Sequence, residues 1–231
     1  MFELTGRIGF SEGDAEGLLH LHQLINHFQN TSTFHVTDTD IEMPTPDTGF
    51  YMLAWQLEIK RLPKVGEFVK SGTLIHELRG IYGSRNYWLH SESGETLAVA
   101  NMTGCFMDLT TQKLYKLDDQ EATRFPVEPK LDMEYLPRKI KMPATDTAYE
   151  PVLATARHID MYGHVNNAEY VAMATQYLPQ SWKWSRVRIE YKKAALKDQW
   201  LYPSSVLENG TFYLSLADEA GSPYALFAFS S

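Results

Sequence analysis

Apolar residues recur with a helical period at two places in the chain. In the first half, four of them follow the i, i+3, i+4, i+7 spacing of an amphipathic helix: Leu21, Leu24, Ile25 and Phe28. In the second half, a comparable stripe before Pro179 contains five residues: Tyr170, Val171, Ala174, Tyr177 and Leu178. Each stripe is followed by runs rich in β-branched and aromatic residues with Gly, Pro and Ser-Gly turns, which predict strands. The pattern predicts an α+β fold in which each half has one helix and an antiparallel sheet.

The two halves also share an order of individual residues. Three sets of pairs follow one another at offsets of 146, 132 and 127 residues: Asp14 with Asp160 and Gly17 with Gly163, then Glu58 with Glu190, then Gly94 with Gly221. The falling offset predicts a duplication in which the second copy has shorter connections. We therefore expect an N-terminal unit over residues 1–117, a linker over residues 118–149 and a C-terminal unit over residues 150–231. The linker prediction rests on its four prolines, its many charges and its lack of a period.

Composition narrows the class of protein. The chain has 231 residues with a formal net charge of −8, which disfavours a broad nucleic-acid-binding surface. The single cysteine, Cys105, excludes an intramolecular disulfide, which is typical of a reducing compartment. No apolar run approaches the roughly 20 residues that span a bilayer, and the N-terminus lacks the pattern of a signal peptide. These features predict a cytoplasmic protein without a membrane span.

The segment HIDMYGHVNNAEYVAM places an unusual density of hydrogen-bonding side chains just before the second helix. Its D-x-x-G-H-V-N-N-x-x-Y element, Asp160 to Tyr170, resembles the motif of the acyl-acyl carrier protein thioesterases of plant plastids and bacteria. The resemblance implies a tandem double hot-dog fold, each half a long helix packed against a curved antiparallel sheet. It also implies hydrolysis of fatty acyl-acyl carrier protein to free fatty acid in fatty acid biosynthesis, with acyl carrier protein as partner and no cofactor.

Two departures from the family pattern affect the expected chemistry. The family motif has Asn where this chain has Tyr162. The Glu-Cys pair of the plant enzymes falls on Ala194 and Ala195 when the strands after the motif are aligned. Neither a cysteine nor a neighbouring glutamate can therefore act at these positions.

The residue types of the motif suit thioester hydrolysis. His164 is the candidate general base, and Asp160 could orient the imidazole, hold the water or attack the carbonyl directly. The structural alternatives are a helix N-cap for Asp160 and a satisfied core histidine for His164. Gly163 is expected to allow a left-handed backbone, and Tyr162 either donates its hydroxyl or fills space. Of Asn166 and Asn167, we expect one to cap the helix, whose N-terminus would stabilise an oxyanion.

The first copy has Leu18 at the histidine position and Glu16 at the Tyr162 position. Because leucine transfers no protons, we expect one active site per chain, with acyl-chain binding in the first half. Its candidate lining residues are large and apolar: Trp55, Tyr82, Tyr87, Trp88, Met102 and Phe106. Ordinary core packing is the alternative for each of them.

Other functions remain as alternatives at this point. One is hydrolysis of acyl-CoA or another thioester, and another is a non-catalytic acyl-binding or carrier-docking module. Basic residues at Arg138 to Met142 and at Lys192 and Lys193 are the candidate surface for an acidic carrier. No Cys or acidic residue completes a zinc pattern with the nearby histidines, so no metal is expected. The duplication is compatible with a monomer or a homodimer of chains.

Overall fold

The computed structural model describes residues 1–39, 41–179 and 182–231. They group into two compact units, the first made of Met1–His20 and Leu24–Leu136, and the second of Leu21–Gln23 and Pro137–Ser231. No helix in the described part of the chain combines the length and the apolar character that a membrane span requires.

The first unit contains an antiparallel sheet and two helices. Its elements are β1 (Phe2–Arg7), α1 (Leu21–Thr37, whose first three residues group with the second unit), β2 (Thr48–Ile59), β3 (Phe68–Arg79), β4 (Tyr82–Ser91), β5 (Thr96–Asp108), β6 (Lys113–Leu114) and α2 (Asp119–Ala122). The strand order is β1-β3-β4-β5-β2, every neighbouring pair is antiparallel, and β6 pairs with β5. Register shifts within the β2–β5, β3–β4 and β4–β5 pairs are the bulges that bend strands and let a sheet curve.

Helix α1 forms where the apolar stripe predicted it. All four stripe residues are buried, which confirms the predicted inward face. Phe28 packs against aromatic rings of two strands, with centroids 6.0 Å from Trp55 and 5.2 Å from Tyr87. Burying such large rings supplies much of the hydrophobic stabilisation of a unit of this size.

The second unit repeats this plan with shorter elements. They are β7 (Thr147–Ala148), β8 (Val152–Leu153), α3 (Asn167–Thr175), β9 (Arg186–Tyr191), β10 (Trp200–Glu208), β11 (Thr211–Ala217) and β12 (Pro223–Ser230). The strand order is β9-β12-β11-β10-β7, again antiparallel, and β8 also pairs with β10. The predicted α+β class with antiparallel sheets is confirmed.

The second helix is shorter than its apolar stripe predicted. Helix α3 has nine residues and ends at Thr175, so Tyr177 and Leu178 lie beyond it. Their N–H groups instead bond three residues back, to the carbonyls of Ala174 and Thr175, at 3.2 and 3.3 Å. The chain tightens here because Pro179 disfavours helical backbone at the residue before it. The expectation of a long helix in each half is therefore met only by α1, which has 17 residues.

The two units also match in their strand order and turns. Removing β1 and β7, the order β3-β4-β5-β2 corresponds to β10-β11-β12-β9. The glycines of two turns, Gly94 and Gly221, lie 127 residues apart and both have positive φ. In each turn the glycine N–H donates to the carbonyl of the residue three positions earlier. A positive φ is where glycine is favoured, which explains its presence at both turns.

The segment predicted as a linker is held by polar side chains of the strands. Asn86 accepts a hydrogen bond from Leu131 N–H at 3.0 Å, and Gln56 accepts one from Leu136 N–H at 2.9 Å. Further along, buried Glu190 accepts from Ile140 N–H at 2.8 Å. Residues 118–136 of this segment belong to the first unit and residues 137–149 to the second. Glu190, the repeat partner of Glu58, therefore has a structural role in fixing this segment.

Candidate active site

Residues 159–166, here called the motif loop, fold around the side chain of Asp160. Its Oδ1 accepts hydrogen bonds from the N–H groups of Tyr162 at 2.8 Å and His164 at 3.3 Å. The Asp160 N–H in turn donates to the His164 carbonyl at 2.8 Å. Gly163 completes the turn with a φ of +82°, a left-handed conformation that other L residues rarely adopt. Asp160 therefore shapes the loop, and it does not cap helix α3.

A neighbouring segment fixes the motif loop from the side. Val165 N–H donates to the Ala195 carbonyl at 2.9 Å, and His164 forms a bridge with Leu196. The hydroxyl of buried Tyr170 accepts from Ala195 N–H at 2.7 Å. The position aligned with the cysteine of the plant enzymes thus lies directly beside the motif loop. Its side chain here is an alanine methyl group, which offers no nucleophile.

Helix α3 begins immediately after the motif loop. Asn166 is its N-cap, and the side chain of Asn166 accepts from Ala168 N–H at 2.8 Å. Asn167 is the first helical residue, and its carbonyl accepts from the Tyr191 hydroxyl at 2.9 Å. The expectation that one of the two asparagines caps the helix is confirmed, and the cap is Asn166. The helix start, with its partial positive charge, is therefore held next to His164.

The candidate residues differ in exposure. Asp160 and His164 are half-buried, whereas Gly163 is exposed. Tyr162 is 67% exposed, so its ring fills no interior space. A half-buried carboxylate and imidazole are both reachable by a small substrate and partly shielded from water.

Three further titratable groups lie around the motif loop: Tyr170, Tyr191 and His158. Burial raises the pKa of Tyr170 to about 12, with a smaller contribution from the charge of Asp160, and burial raises the pKa of Tyr191 well above its ordinary value. Both phenols are therefore neutral near pH 7 and serve as hydrogen-bonding groups. Burial also lowers the pKa of His158, whose Nδ1 accepts from Thr155 N–H at 2.9 Å. The sequence signal for His158 is its place three residues after Thr155, the N3 position of a capping pair.

The first unit contains a loop with the same hydrogen bonds, in which Leu18 takes the place of His164. Residues 13–20, here called the sister loop, fold around Asp14, whose Oδ1 accepts from the N–H groups of Glu16 and Leu18, both at 2.9 Å. Asp14 N–H donates to the Leu18 carbonyl at 2.8 Å, and Gly17 has a φ of +73°. The predicted alignment of Asp14 with Asp160 is thus reproduced hydrogen bond by hydrogen bond. An identical backbone presents His164 in one unit and Leu18 in the other.

The aromatic candidates of the first unit do not all lie together. Trp55 and Tyr87 are buried and adjacent, with ring centroids 4.9 Å apart. Trp88 follows Tyr87 in β4 and so points to the other face of the sheet, where its Nε1 donates to Glu3 Oε1 at 3.0 Å. Tyr82 lies at the start of β4 and is 40% exposed. Of these four aromatic residues, Trp55 and Tyr87 therefore lie together in the interior, and Met102, which pairs with Trp55 across β2 and β5, is buried as well.

The first unit also contains a buried cation that sequence analysis missed. Arg85 donates from Nη1 to Nδ1 of His35 at 3.0 Å, and both side chains are buried. A guanidinium only donates, so Nδ1 of His35 must be unprotonated. Burial, with the charge of Arg85 adding to it, lowers the pKa of His35 to about 4. His35 is therefore neutral at physiological pH.

Three residues of the predicted basic surface are already paired. Lys192 Nζ lies 3.0 Å from Glu190 Oε1, and Arg138 Nη1 lies 4.0 Å from the same oxygen. Lys193 pairs with Asp218. The candidate carrier surface is thus partly committed to internal ion pairs. Among residues 1–39, 41–179 and 182–231, no three His, Cys, Asp or Glu side chains are grouped to hold a metal ion.

Comparisons with known proteins agree with this geometry. No curated protein matches the chain by sequence. An acyl-ACP thioesterase from Bacteroides thetaiotaomicron has a similar structure, with a TM-score of 0.89 at 17% identity over 99% of this chain and 96% of that one. The 12:0-ACP thioesterase from Umbellularia californica has a TM-score of 0.83 at 20% identity over 99% of this chain and 96% of that one. At such identities the likeness is one of fold.

The sequence itself matches a family model. Residues 1–124, more than half of the 231 residues, match the model of the acyl-ACP thioesterase N-terminal domain. The chain therefore belongs to the acyl-ACP thioesterase family and has the hot-dog fold.

Proposed function

We propose that the chain hydrolyses the thioester bond of fatty acyl-acyl carrier protein and releases free fatty acid for fatty acid biosynthesis in the cytoplasm. The observation that supports this most is that the two loops have the same backbone hydrogen bonds and differ in the side chain that they present. The sister loop retains Asp14 and Gly17 but has Leu18, whereas the motif loop has His164. A histidine that the loop does not need for its fold is best explained by its chemistry.

In this proposal His164 is the general base. It takes a proton from the water that attacks the thioester carbonyl, a role that imidazole side chains commonly fill in enzymes. A thiolate leaves without strong acid assistance, so one base is sufficient for the first step. The products are the fatty acid and the free thiol of the carrier.

Asp160 is proposed to hold the attacking water. Its Oδ1 accepts two backbone N–H groups, and these are the hydrogen bonds that its carboxylate makes within the described residues. Oδ2 is therefore the oxygen that remains for the water or the imidazole. Two N–H donors also reduce the nucleophilicity of the carboxylate, which favours water attack over a mixed anhydride.

The start of helix α3 is proposed to stabilise the oxyanion. Asn166 satisfies one of the free N–H groups of the first turn, that of Ala168. Glu169 N–H donates to the Asn166 carbonyl at 2.9 Å, so Asn167 N–H and the helix dipole are the features that favour negative charge at this end. Such preorganised donors typically contribute about 10²–10³ in kcat.

The first unit is proposed to bind the acyl chain. Trp55 and Tyr87 form an apolar wall with Phe28, and all three are buried. The indole Nε1 of Trp55 is buried without a hydrogen-bond partner among the described residues. In this proposal the first unit binds the acyl chain and the second unit contains the catalytic residues.

One observation favours a second candidate function, a non-catalytic carrier-docking module. Ala194 and Ala195 stand where the plant enzymes have Glu and Cys, so a nucleophile of that kind is absent at these two positions. A module would bind acyl-acyl carrier protein without releasing a thiol. An acyl-CoA hydrolase, the remaining alternative, would release a thiol from CoA faster than from the carrier.

A thiol-release assay on acyl-acyl carrier protein and acyl-CoA tests the proposal. His164→Ala should lower kcat by about 10²–10⁴-fold because a general base is lost. Leu18→Ala, at the equivalent position of the sister loop, is the matched control and should leave kcat close to that of the wild type. Near wild-type turnover by His164→Ala would show that the motif loop is not the active site.

A further inference from the structure

The motif loop is surrounded by exposed apolar side chains. Met161 is 89% exposed, Tyr162 is 67% exposed, and Leu196, which bridges to His164, is 47% exposed. We call these three residues the rim. Single exposed apolar residues are ordinary, but three around a candidate active site suggest an interaction surface.

The sister loop serves as an internal control for the rim. The residues equivalent to Met161, Tyr162 and Leu196 are Ala15, Glu16 and Lys64. The backbone around them is the same, because Leu18 bridges to Lys64 as His164 bridges to Leu196. The fold of the loop therefore requires none of the three apolar side chains.

The side-chain anchors beneath the rim are also repeated. Gln199 Oε1 accepts from Leu196 N–H at 2.9 Å, and Glu67 Oε2 accepts from Lys64 N–H at 3.0 Å. Residues 196 and 64 are thus held alike, and only their side chains differ. The apolar rim occurs on the copy that has the histidine.

Positive charge accompanies the rim on the same copy. Arg157 and Lys197 are exposed beside the rim, and the first unit has Ser11 and Val65 at the equivalent positions. Lys197 lies 3.7 Å from Asp198, but both side chains are more than half exposed, so water screens this pair. With Asp198 and its equivalent Gly66 included, the compared positions of the first unit have one anion and one cation, whereas those of the second unit have two cations and one anion.

We propose that the rim, with Arg157 and Lys197 beside it, is the docking surface for the protein part of acyl carrier protein. This inference rests on the proposed function. An acidic protein with an apolar patch complements apolar residues flanked by cations. An acyl chain alone would bind in the interior and would not contact Met161 at the outer tip of the loop. Methionine also adapts to a partner surface because its side chain is flexible and polarizable.

The test compares matched variants on two substrates. Met161→Glu should raise KM for acyl-acyl carrier protein by about tenfold, as the loss of a contact at the centre of an interface does. Its kcat on the acyl-N-acetylcysteamine thioester, which has no protein part, should be unchanged. Ala15→Glu places the same charge on the sister loop and should change neither value.

A second pair of variants tests whether the effect of Met161→Glu comes only from a local distortion of the motif loop. Leu196→Glu should also raise KM for the carrier substrate, while Leu207→Glu, at a leucine that is 54% exposed near the far end of β10, should not. The affinity for acyl carrier protein is also measured directly by titration, so the rim is tested even if hydrolysis is slow. Unchanged affinity in both Met161→Glu and Leu196→Glu would overturn the inference.

Other outcomes separate this inference from the proposed function. Equal loss on both substrates would mean that the rim supports the reaction itself and is not a docking surface. Weaker binding to phosphatidylglycerol vesicles, with carrier affinity unchanged, would assign the rim to a lipid surface and overturn the inference. Wild-type protein that binds the carrier but hydrolyses neither substrate would refute the proposed function and leave the docking surface standing.

Discussion

Gly163 and Gly17 allow the catalytic and structural roles of the two loops to be separated. Both have positive φ, +82° and +73°, and a Cβ added at either position would meet no heavy atom within 4 Å. The cost of an alanine is therefore backbone strain alone, about 1–2 kcal/mol for an L residue in the left-handed region. We expect Gly163→Ala and Gly17→Ala to lower the free energy of unfolding by similar amounts.

The two substitutions should differ in their effect on turnover. The loop can relieve the strain by rotating the peptide before residue 163, which breaks the hydrogen bond from Gly163 N–H to the Asp160 carbonyl, 3.1 Å long. The imidazole then moves away from its working position. A displacement of this kind should lower kcat by about tenfold or more. Gly17→Ala displaces Leu18 and should leave kcat unchanged.

Denaturant unfolding and the thiol-release assay measure the two quantities on the same samples. For a chain of this length, each kcal/mol of destabilisation corresponds to a fall in Tm of about 2–4 °C. Equal loss of turnover in the two variants would refute the reasoning, because the sister loop has Leu18 at the position of His164. Unchanged stability in both would show that the positive φ values are not strained for alanine.

Two further predictions concern buried charge. Burial lowers the pKa of His35 in the folded protein to about 4, below the ordinary 6.5. The contribution of neutral His35 to stability is therefore complete above pH 6.5 and is lost, by up to about 3 kcal/mol, as the pH falls toward 4. In pH-dependent unfolding, His35→Gln should be less acid-sensitive than the wild type over this window, and an identical slope would contradict the assignment. Lys192→Glu would place a second carboxylate beside buried Glu190 and should lower Tm, whereas Lys141→Glu, at an exposed lysine of the same candidate surface, should not, so equal Tm values would count against the ion pair.

The pattern of apolar residues was sufficient for the class of fold and for helix α1. It failed at the end of the second helix because Tyr177 and Leu178 keep the helical spacing but pack from a turn. Spacing reports which residues face inward, and a tight turn before Pro179 can present the same face. The duplication was also visible in the sequence, because Asp14 and Asp160 have a local backbone role that depends on residues at most four positions away.

Contacts between segments far apart in the sequence could not be predicted from the spacing of residues. The Tyr191 hydroxyl reaches the Asn167 carbonyl across 24 positions, and Arg85 meets His35 across 50. Nothing local distinguishes these side chains from others in the same strands. The pairing of Lys192 with Glu190, two positions away, was not visible either, because Glu190 lies between two apolar residues and the pairing depends on which way the strand faces.

The presence of Asp14 in a loop that has Leu18 at the position of His164 changes how mutants of Asp160 should be interpreted. An aspartate retained where no proton is transferred is a scaffold residue, and Asp160 has the same two backbone contacts. Lost activity in Asp160→Asn would therefore combine a misfolded loop with any missing chemistry. The share due to folding can be read from Asp14→Asn, so the duplicated chain contains its own reference for one of its catalytic candidates.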